Sequence, residues 1–412
     1  MKVNKPHYKI AIITTTPHYY HVPLFRRLAK SNKINLAVYY CSDETLRGFR
    51  VEKMHKSKGH IVSPDSLLGG YSYKFLRNYS PFPSSLRWPF GLINLDIWRE
   101  IKEGKYDAIV LQSWTNLTWW LAILACLKFN TPFFFMTDSN ILSNILLERL
   151  RNPFKRNFRN IVLAELFKKT AVFLTAGKAN EQFYKAYGAP EKKMVQLPFS
   201  WGYEEILKKA QKLVAEREDL RKSLDIKKND FVLLYVGRLA EEKNLFVLLE
   251  AFNLVNHPRV KLFFVGGGPL RSKVEEGVKE LKLKEVYLMG FQPRETVFNF
   301  YTIADAFVLP SGNETWGIVV NEAMCFGLPI IVSSQVGAAV DLVKDGYNGF
   351  IFPAGDSEKL AACIKKSINL SPEERLLFGK RSIEIIIKWI GKIDPVQQIL
   401  KAIKIAKNAN HD

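Results

Sequence analysis

Acidic residues, cysteine and long apolar runs are all scarce in this 412-residue sequence, and each scarcity argues against a class of protein. Only four cysteines occur, Cys41, Cys126, Cys325 and Cys363, far apart and in apolar contexts. No pair has metal-ligand or redox spacing, which argues against a disulfide-built secreted scaffold and for a reducing cytoplasm. The most apolar stretch, LTWWLAILACLKFNTPFFFM at 117–136, is broken by Lys128, Asn130 and Pro132. Its uninterrupted runs fall short of the roughly twenty residues that span a bilayer, so a buried helix followed by a buried strand is expected instead. The basic start of the chain carries an apolar run too short for a signal peptide. Forty Asp and Glu stand against sixty Lys and Arg, a formal net charge of +20. That charge creates a field attractive to anions such as nucleotide phosphates or an acidic membrane surface. Nucleic acid is not the expected partner, because no arginine-rich tract or nucleic-acid motif is present.

What is present is an ordinary globular composition, 47% hydrophobic and 24% charged, in a chain long enough for two or three domains. Strand-like and helix-like stretches alternate. In the first half, YKIAIITTT (8–16), INLAVYYCS (34–42), the end of INLDIWREIKEGKYDAIVLQS (93–113), TPFFFMTDS (131–139) and the end of LAELFKKTAVFLTAG (163–177) read as strands. HVPLFRRLAKS (21–31) has apolar residues at helical spacing. Residues 43–90 lack periodicity and are expected to be long loops.

The second half repeats the rhythm in DFVLLYVGRL (230–239), VKLFFVGGGP (260–269), VYLMG (286–290), AFVLP (306–310) and PIIVSS (329–334), with helical stretches between. Alternating βα units with short, wholly apolar strands predict α/β domains whose parallel sheets are covered on both faces. The boundary is expected near QLPFSWGYEEI (196–206). In the last helix, 396–407, Val396, Ile399, Leu400 and Ile403 share a face that must dock on something.

Ligands of open α/β sheets bind beyond the carboxyl ends of the strands, so the loops there carry the chemistry. GRLAEEKN follows the 230–239 strand and offers Arg238 and Lys243, a fork and a point charge suited to a diphosphate, or else to solvated surface. GGGP follows the next strand; Gly266 and Gly267 would let backbone approach a ligand, although a plain structural turn reads as well. GGGPLR lacks the third glycine of a dinucleotide fingerprint. In SGNETWGIVVNEAMCFGLPIIVSS (311–334), Gly317 marks a helix start whose leading amides would attract an anion. Glu314 then precedes the helix and Glu322 lies a little over one turn inside it; a carboxylate there can accept the two hydroxyls of a diol.

In order, GRLAEEKN…LLEAF, FFVGGGP, PSGNETWGIVVNEAMCFGLPII and GYNGFIFPAGD resemble the C-terminal half of retaining GT-B glycosyltransferases, the large glycosyl transferases group 1 family of E-x7-E type. The resemblance is strong over 230–360 and looser before it. It implies GT-B architecture: two Rossmann-like doubly wound domains facing across a cleft. An acceptor-side domain at 1–198 would be joined by a C-terminal helix, 392–412, packing back on it, and a donor-binding domain would span 199–391. The donor would be a nucleoside-diphosphate sugar, with Arg238 and Lys243 on the diphosphate and Glu322 on the ribose. Glu314 would lie by the sugar, the amides of Gly317, Ile318 and Val319 at the phosphates, and Phe291 of MGFQ beside the base. Gly266 and Gly267 would belong to the same donor site. No metal or other cofactor is implied, and the anomeric configuration would be retained.

The departures lie on the acceptor side. The family's glycine-rich first loop is replaced by TTTPHYYHVPLF, and its N-domain histidine is missing; Asp138 of TDSN stands in that neighbourhood, with His18 and His21 at the end of the first strand. QVGAAVDLV replaces GG-x-x-E, leaving Asp341 without an assigned role. The expected function is transfer of a hexose to a glycan or lipid-linked acceptor, as in polysaccharide biosynthesis. It would take place in the cytoplasm, with peripheral association at the inner face of an anionic membrane through the basic stretches 46–60 and 152–160. A nucleotide-sugar 2-epimerase and a non-catalytic nucleotide-sugar-binding protein are the alternatives. Nucleotide, sugar, acceptor, linkage and oligomeric state are not readable.

Overall fold

The computed structural model describes residues 8–47, 67–142, 153–198, 202–391 and 393–408. In the first half, strands β1 (Tyr8–Thr14), β2 (Ile34–Tyr40), β3 (Ser72–Phe75), β4 (Ala108–Leu111), β5 (Phe133–Phe135), β6 (Val172–Thr175) and β7 (Met194–Gln196) form one sheet. Helices α1 (Val22–Ala29), α2 (Ile97–Gly104), α3 (Leu117–Lys128), α4 (Pro153–Lys169) and α5 (Lys178–Ala186) run between them. Every pairing is parallel and the order is β3-β2-β1-β4-β5-β6-β7. The period of two along β1 divides the core: Ile10 and Ile12 join the apolar cluster on one face, Ala11 and Ile13 the cluster on the other.

The second half opens with α6 (Tyr203–Leu213) and α7 (Arg217–Ser223), then winds through β8 (Phe231–Val236), α8 (Leu245–Val255), β9 (Val260–Val265), α9 (Arg271–Glu280), β10 (Val286–Gly290) and α10 (Arg294–Ile303). It continues through β11 (Ala306–Leu309), α11 (Ile318–Cys325), β12 (Ile330–Ser333), α12 (Ala339–Leu342), β13 (Gly349–Phe352) and α13 (Ser357–Ile368). The six strands are parallel in the order β10-β9-β8-β11-β12-β13, so the order reverses between β8 and β11. That switch point opens a crevice at the carboxyl ends of the strands. All six residues of β8 are buried, as a central parallel strand covered on both faces requires.

A buried carboxylate fastens this domain together. Asp305, just before β11, accepts from Arg217 (2.8 Å), Arg221 (3.1 Å), Arg375 (3.4 Å) and the amide of Val232 (2.8 Å). Three cations on one carboxylate, with further guanidinium hydrogens of Arg217 and Arg221 on backbone carbonyls, approach the condition under which a buried ion pair is tolerated. The N-terminus of α13 is capped by the Asp356 carboxylate, which accepts from the amide of Lys359 at 2.8 Å.

After α14 (Pro372–Gly391), the chain ends in α15 (Pro395–Asn408), which packs into the first domain: Ile399, Ala402, Ile403 and Ala406 belong to the cluster containing Ile10 and Val38. Burying Ile399 and Ile403 contributes roughly 3–6 kcal/mol, which marks α15 as part of that core. The buried face runs through Ala402 and Ala406, with Leu400 only half-buried, a rotation from the face expected.

Several elements went unread in the sequence, among them β3 within the supposed long loops, α5, the three-residue β7, β13 and the helices α13 and α14. Most of the basic stretch 46–60 lies outside the described residues. The stretch 152–160 opens α4, where Arg159 is turned onto the Tyr187 hydroxyl (2.5 Å). All four cysteines are buried and free. Among the described residues, no helix is long and apolar enough to cross a membrane.

Candidate functional site

The loops leaving β8, β9 and β11 meet at the crevice, and the first two pack backbone against backbone. The amide of Gly237 donates to Val265 (3.0 Å) and that of Leu239 to Gly267 (2.9 Å). Gly266 has φ +140°, and a Cβ there would lie 2.0 Å from the Gly237 carbonyl oxygen. Gly266 and Gly267 are therefore first of all the contact between two loops, and neither lines the pocket described next.

That pocket, about 220 Å³, is bounded by Gly237, Lys243, Leu309, Glu314, Thr315, Trp316, Gly317, Ile318 and Val319 from the second domain and by Tyr20 and Asp138 from the first. Lys243 ends the short turn Glu241–Lys243, and its ammonium is ion-paired with the Glu314 carboxylate; both side chains are only 15% exposed. Such burial sets Lys243 apart from an ordinary solvated lysine. Arg238 is paired with Glu242 and is more exposed. Burial pushes the Glu242 carboxyl up, but Arg238 and Lys243 outweigh it and hold it below the usual range. A solvated surface role thus fits Arg238 better than Lys243.

Glu314 does not lie on a helical turn shared with Glu322. Its backbone is extended and bridged to Val336: its amide donates to Gln335 (3.2 Å) and its carbonyl accepts from Gly337 (3.0 Å). Gly317, at φ +94°, turns the chain from that bridge into α11, a left-handed conformation that a side chain would strain. The first amides of α11, those of Ile318 and Val319 on the pocket wall, have no intrahelical acceptor, which leaves a helix start of the kind that attracts anions at the cavity.

Glu322 is buried inside α11, where it accepts from Tyr301 (3.2 Å) and Arg294 (3.4 Å). Burial pushes its carboxyl above the usual range, against the pull of Arg294. Arg294 in turn lies over the ring of Tyr19 from the first domain, at 4.9 Å. Arg294 and Tyr19, with Tyr20, Tyr203, Phe298 and Ile318, line a second cavity of about 220 Å³, behind whose wall Glu322 is buried. Each cavity is smaller than the roughly 300–1,000 Å³ of common ligand sites, but they adjoin at Tyr20 and Ile318. Phe291, after β10, is half-buried and lines neither.

On the first domain's side, the tyrosines of the β1–α1 loop reach the cavities in place of its histidines. His18 stacks on Tyr20 (5.1 Å) and His21 packs edge-on to Tyr20 (4.5 Å) and is buried beside Phe25. Burial, and secondly His18, hold His21 well below its ordinary value, so it is a neutral packing residue. Asp138 does face the first cavity. It is exposed to solvent at the cavity rim, where crowding by neighbouring groups raises its carboxyl above the usual range, and its Oδ2 accepts from Thr315 Oγ1 (3.3 Å).

Two further contacts join the domains, and the sequence carried no sign of either. Buried Asn140 donates to the carbonyls of Glu314 (3.1 Å) and Thr315 (2.6 Å). Asn140 follows a loop fixed from within its own domain, where Asn180 donates to Thr137 and Ser139. Asp341 accepts from the amide of Lys178 (2.9 Å), which gives that residue a role across the interface.

With this geometry in place, comparison with known proteins is informative. Residues 216–384 match the family described as glycosyl transferases group 1. An uncharacterized glycosyltransferase of Methanocaldococcus jannaschii is 33% identical over 141 residues, 34% of this chain and 36% of the relative. The alpha-monoglucosyldiacylglycerol synthase of Acholeplasma laidlawii is 34% identical over 137 residues, 32% of this chain and 34% of the relative. The chain thus spans about a third of the length of the curated relatives it matches. Solved structures resemble it from end to end. Anabaena HepE, in complex with UDP and glucose, superposes with TM-score 0.70 at 18% identity, covering 97% of this chain and 100% of that one. WaaG, a glycosyltransferase involved in lipopolysaccharide biosynthesis, superposes with TM-score 0.61 at 19% identity, covering 96% and 99%. The fold is therefore the two-domain GT-B architecture.

Proposed function

We propose, on the premise that residues 216–384 are a glycosyl transferases group 1 domain, that this chain transfers a sugar from a nucleoside-diphosphate sugar to a glycan or lipid-linked acceptor. The observation that carries the reading is the buried Lys243–Glu314 pair at the mouth of α11, a cation and an acceptor of hydroxyl hydrogens within one cavity. When the bond from the anomeric carbon to the diphosphate oxygen breaks, negative charge grows on the leaving group. Lys243 would stabilise it together with the leading amides of α11, and Arg238 would have to leave Glu242 to join them, a stabilisation that is usually the largest single term in such a reaction. Glu314 would orient the sugar, Glu322 the ribose on the Arg294 side, with Phe291 near the base. Asp138, its carboxyl raised by crowding, is suited to handling a proton on the acceptor side.

The further particulars belong to the same reading: retention of anomeric configuration, no metal requirement, a cytoplasmic setting, and peripheral attachment to an anionic membrane. So does the division into an acceptor domain at 1–198 and a donor domain at 199–391. The Acholeplasma relative, named for a diacylglycerol product, supports including lipid acceptors among those tried. The test is to incubate the protein with UDP-, GDP- and ADP-sugars and mixed glycan and lipid acceptors in a chelator, reading diphosphate release and the anomeric proton of the product. Release with one nucleotide series and an axial donor linkage kept axial is expected. A C2-epimerised donor without diphosphate release would point to an epimerase, and binding without turnover to a non-catalytic protein.

A further inference from the structure

A concentration of exposed apolar side chains lies away from the cavities, in the loop between β3 and α2. Within residues 79–90, Tyr79, Phe82, Leu86, Trp88 and Phe90 all face solvent, the last four at 62–70% exposure. Scattered exposed apolar side chains are normal, but four large ones within nine residues are not. The loop is not a slack segment from which they hang at random. Ser84 donates its amide to Gly91 (3.1 Å) and Gly91 to Arg87 (2.7 Å), closing residues 84–91 on themselves. The Asn78 side chain ties this turn down through Gly91 (3.0 Å), Ser80 (3.1 Å) and Ile93 (2.9 Å), and the Glu44 carboxylate holds Ser85. Leu86, Trp88 and Phe90 therefore project from one small, closed loop. The folded state exposes them in a fixed arrangement.

The charge carried by the loop itself is of one sign, the Glu44 carboxylate on Ser85 coming from outside it. Residues 77–91 contain Arg77 and Arg87 and no acidic residue. Both guanidiniums lie over the exposed rings, Arg77 above Tyr79 at 4.8 Å and Arg87 above Phe82 at 5.4 Å. Aromatic rings beside cations, with leucine and phenylalanine that offer sugars no polar handle, match the headgroup layer of an anionic bilayer: rings at the acyl boundary, guanidiniums on phosphate. The loop leaves the carboxyl end of β3, the same edge of the sheet from which Tyr20 and Asp138 reach the cavity. A bilayer seated there would lie on the cleft side of the first domain.

We propose that the 77–91 loop is a membrane-docking surface that inserts Phe82, Leu86, Trp88 and Phe90 into the interface of an anionic bilayer. The assignment rests on the proposed membrane attachment and replaces the basic stretches 46–60 and 152–160 as its carrier; it needs nothing from the donor chemistry. The test is co-sedimentation of the full chain with vesicles of phosphatidylcholine alone or mixed with phosphatidylglycerol. Wild type is expected to bind the mixed vesicles at least about tenfold more tightly. Phe82→Ser/Trp88→Ser/Phe90→Ser should bind both kinds weakly, and Arg77→Gln/Arg87→Gln should lose roughly ten- to thirtyfold on the mixed vesicles only. Because these side chains are exposed, both variants should keep wild-type melting temperature and nucleotide-induced stabilisation. Binding by the aromatic variant equal to wild type would overturn the surface while leaving membrane attachment standing. Failure of wild type to prefer anionic vesicles would overturn both, and neither result bears on sugar transfer.

Discussion

Glu322 shows what burying a single carboxyl costs the fold. Burial raises its carboxyl although Arg294 and Tyr301 both favour the charged form. A carboxyl with a raised folded pKa binds its proton more tightly in the native state. The stability it contributes is therefore complete below the unfolded value of about 4.3 and is lost as pH rises through the folded value. At neutral pH the ionised group is a net cost. Glu322→Gln should thus melt no lower than wild type at about pH 7, and should show a flatter change in stability between about pH 4 and pH 7. Its affinity for a nucleoside diphosphate should fall roughly tenfold, the loss of a charged hydrogen bond. Thermal melts across pH, with and without nucleotide, check both halves. A clear fall in melting temperature at neutral pH would contradict the burial account. The placement of Glu322 inside a helix was legible, because Gly317 and the aliphatic run after it mark the helix start. Its cover by Tyr19, Tyr203 and Arg294 was not, since those residues come from three segments with no pattern in common.

At the scale of elements, the loops carry more of the site than the helices and strands that hold them. The β8 and β9 loops approach so closely that Gly266 has no space for a side chain. Gly266→Ala should destabilise the protein by roughly 3 kcal/mol, measured by urea unfolding, because it combines a backbone clash with an unfavourable φ. A change below about 1 kcal/mol would mean the loops can part. The central strands were readable from apolar runs such as FVLLYV, because strands covered on both faces cannot alternate with polar residues. Edge strand β3, SYKF, is mostly exposed and carries no such signal. Strand β7 is three residues long, too short to show a period. The histidines of the β1–α1 loop were read as facing the cleft because they end a strand. The turn instead directs Tyr19 and Tyr20 there and packs His21 inward.

On the scale of the whole molecule, the two domains are joined, among the described residues, by scattered polar contacts that include Asn140 to Glu314 and Thr315, Asp138 to Thr315, Asp341 to Lys178, Arg27 to Glu204 and Arg294 over Tyr19. Each contributes on the order of 1 kcal/mol or less, little enough for the domains to open and close around a ligand. These links span more than 160 residues of sequence, which is why no local reading finds them. Asn140→Ala/Asp341→Ala should leave the circular dichroism spectrum unchanged while increasing the radius of gyration by solution X-ray scattering and lowering turnover more than donor affinity. An unchanged radius would show that other contacts hold the domains.

The central claim is that Lys243 and Glu314 mark a diphosphate site at the start of α11, and titration with nucleoside diphosphates tests it most directly. Calorimetry with UDP, GDP and ADP should show one of them binding wild type, with Lys243→Ala weakening it by about tenfold or more; the variant should stay folded by circular dichroism but melt lower, because the Glu314 carboxylate loses its buried partner. Equal affinity in wild type and Lys243→Ala, or no binding of any of the three, would contradict the account.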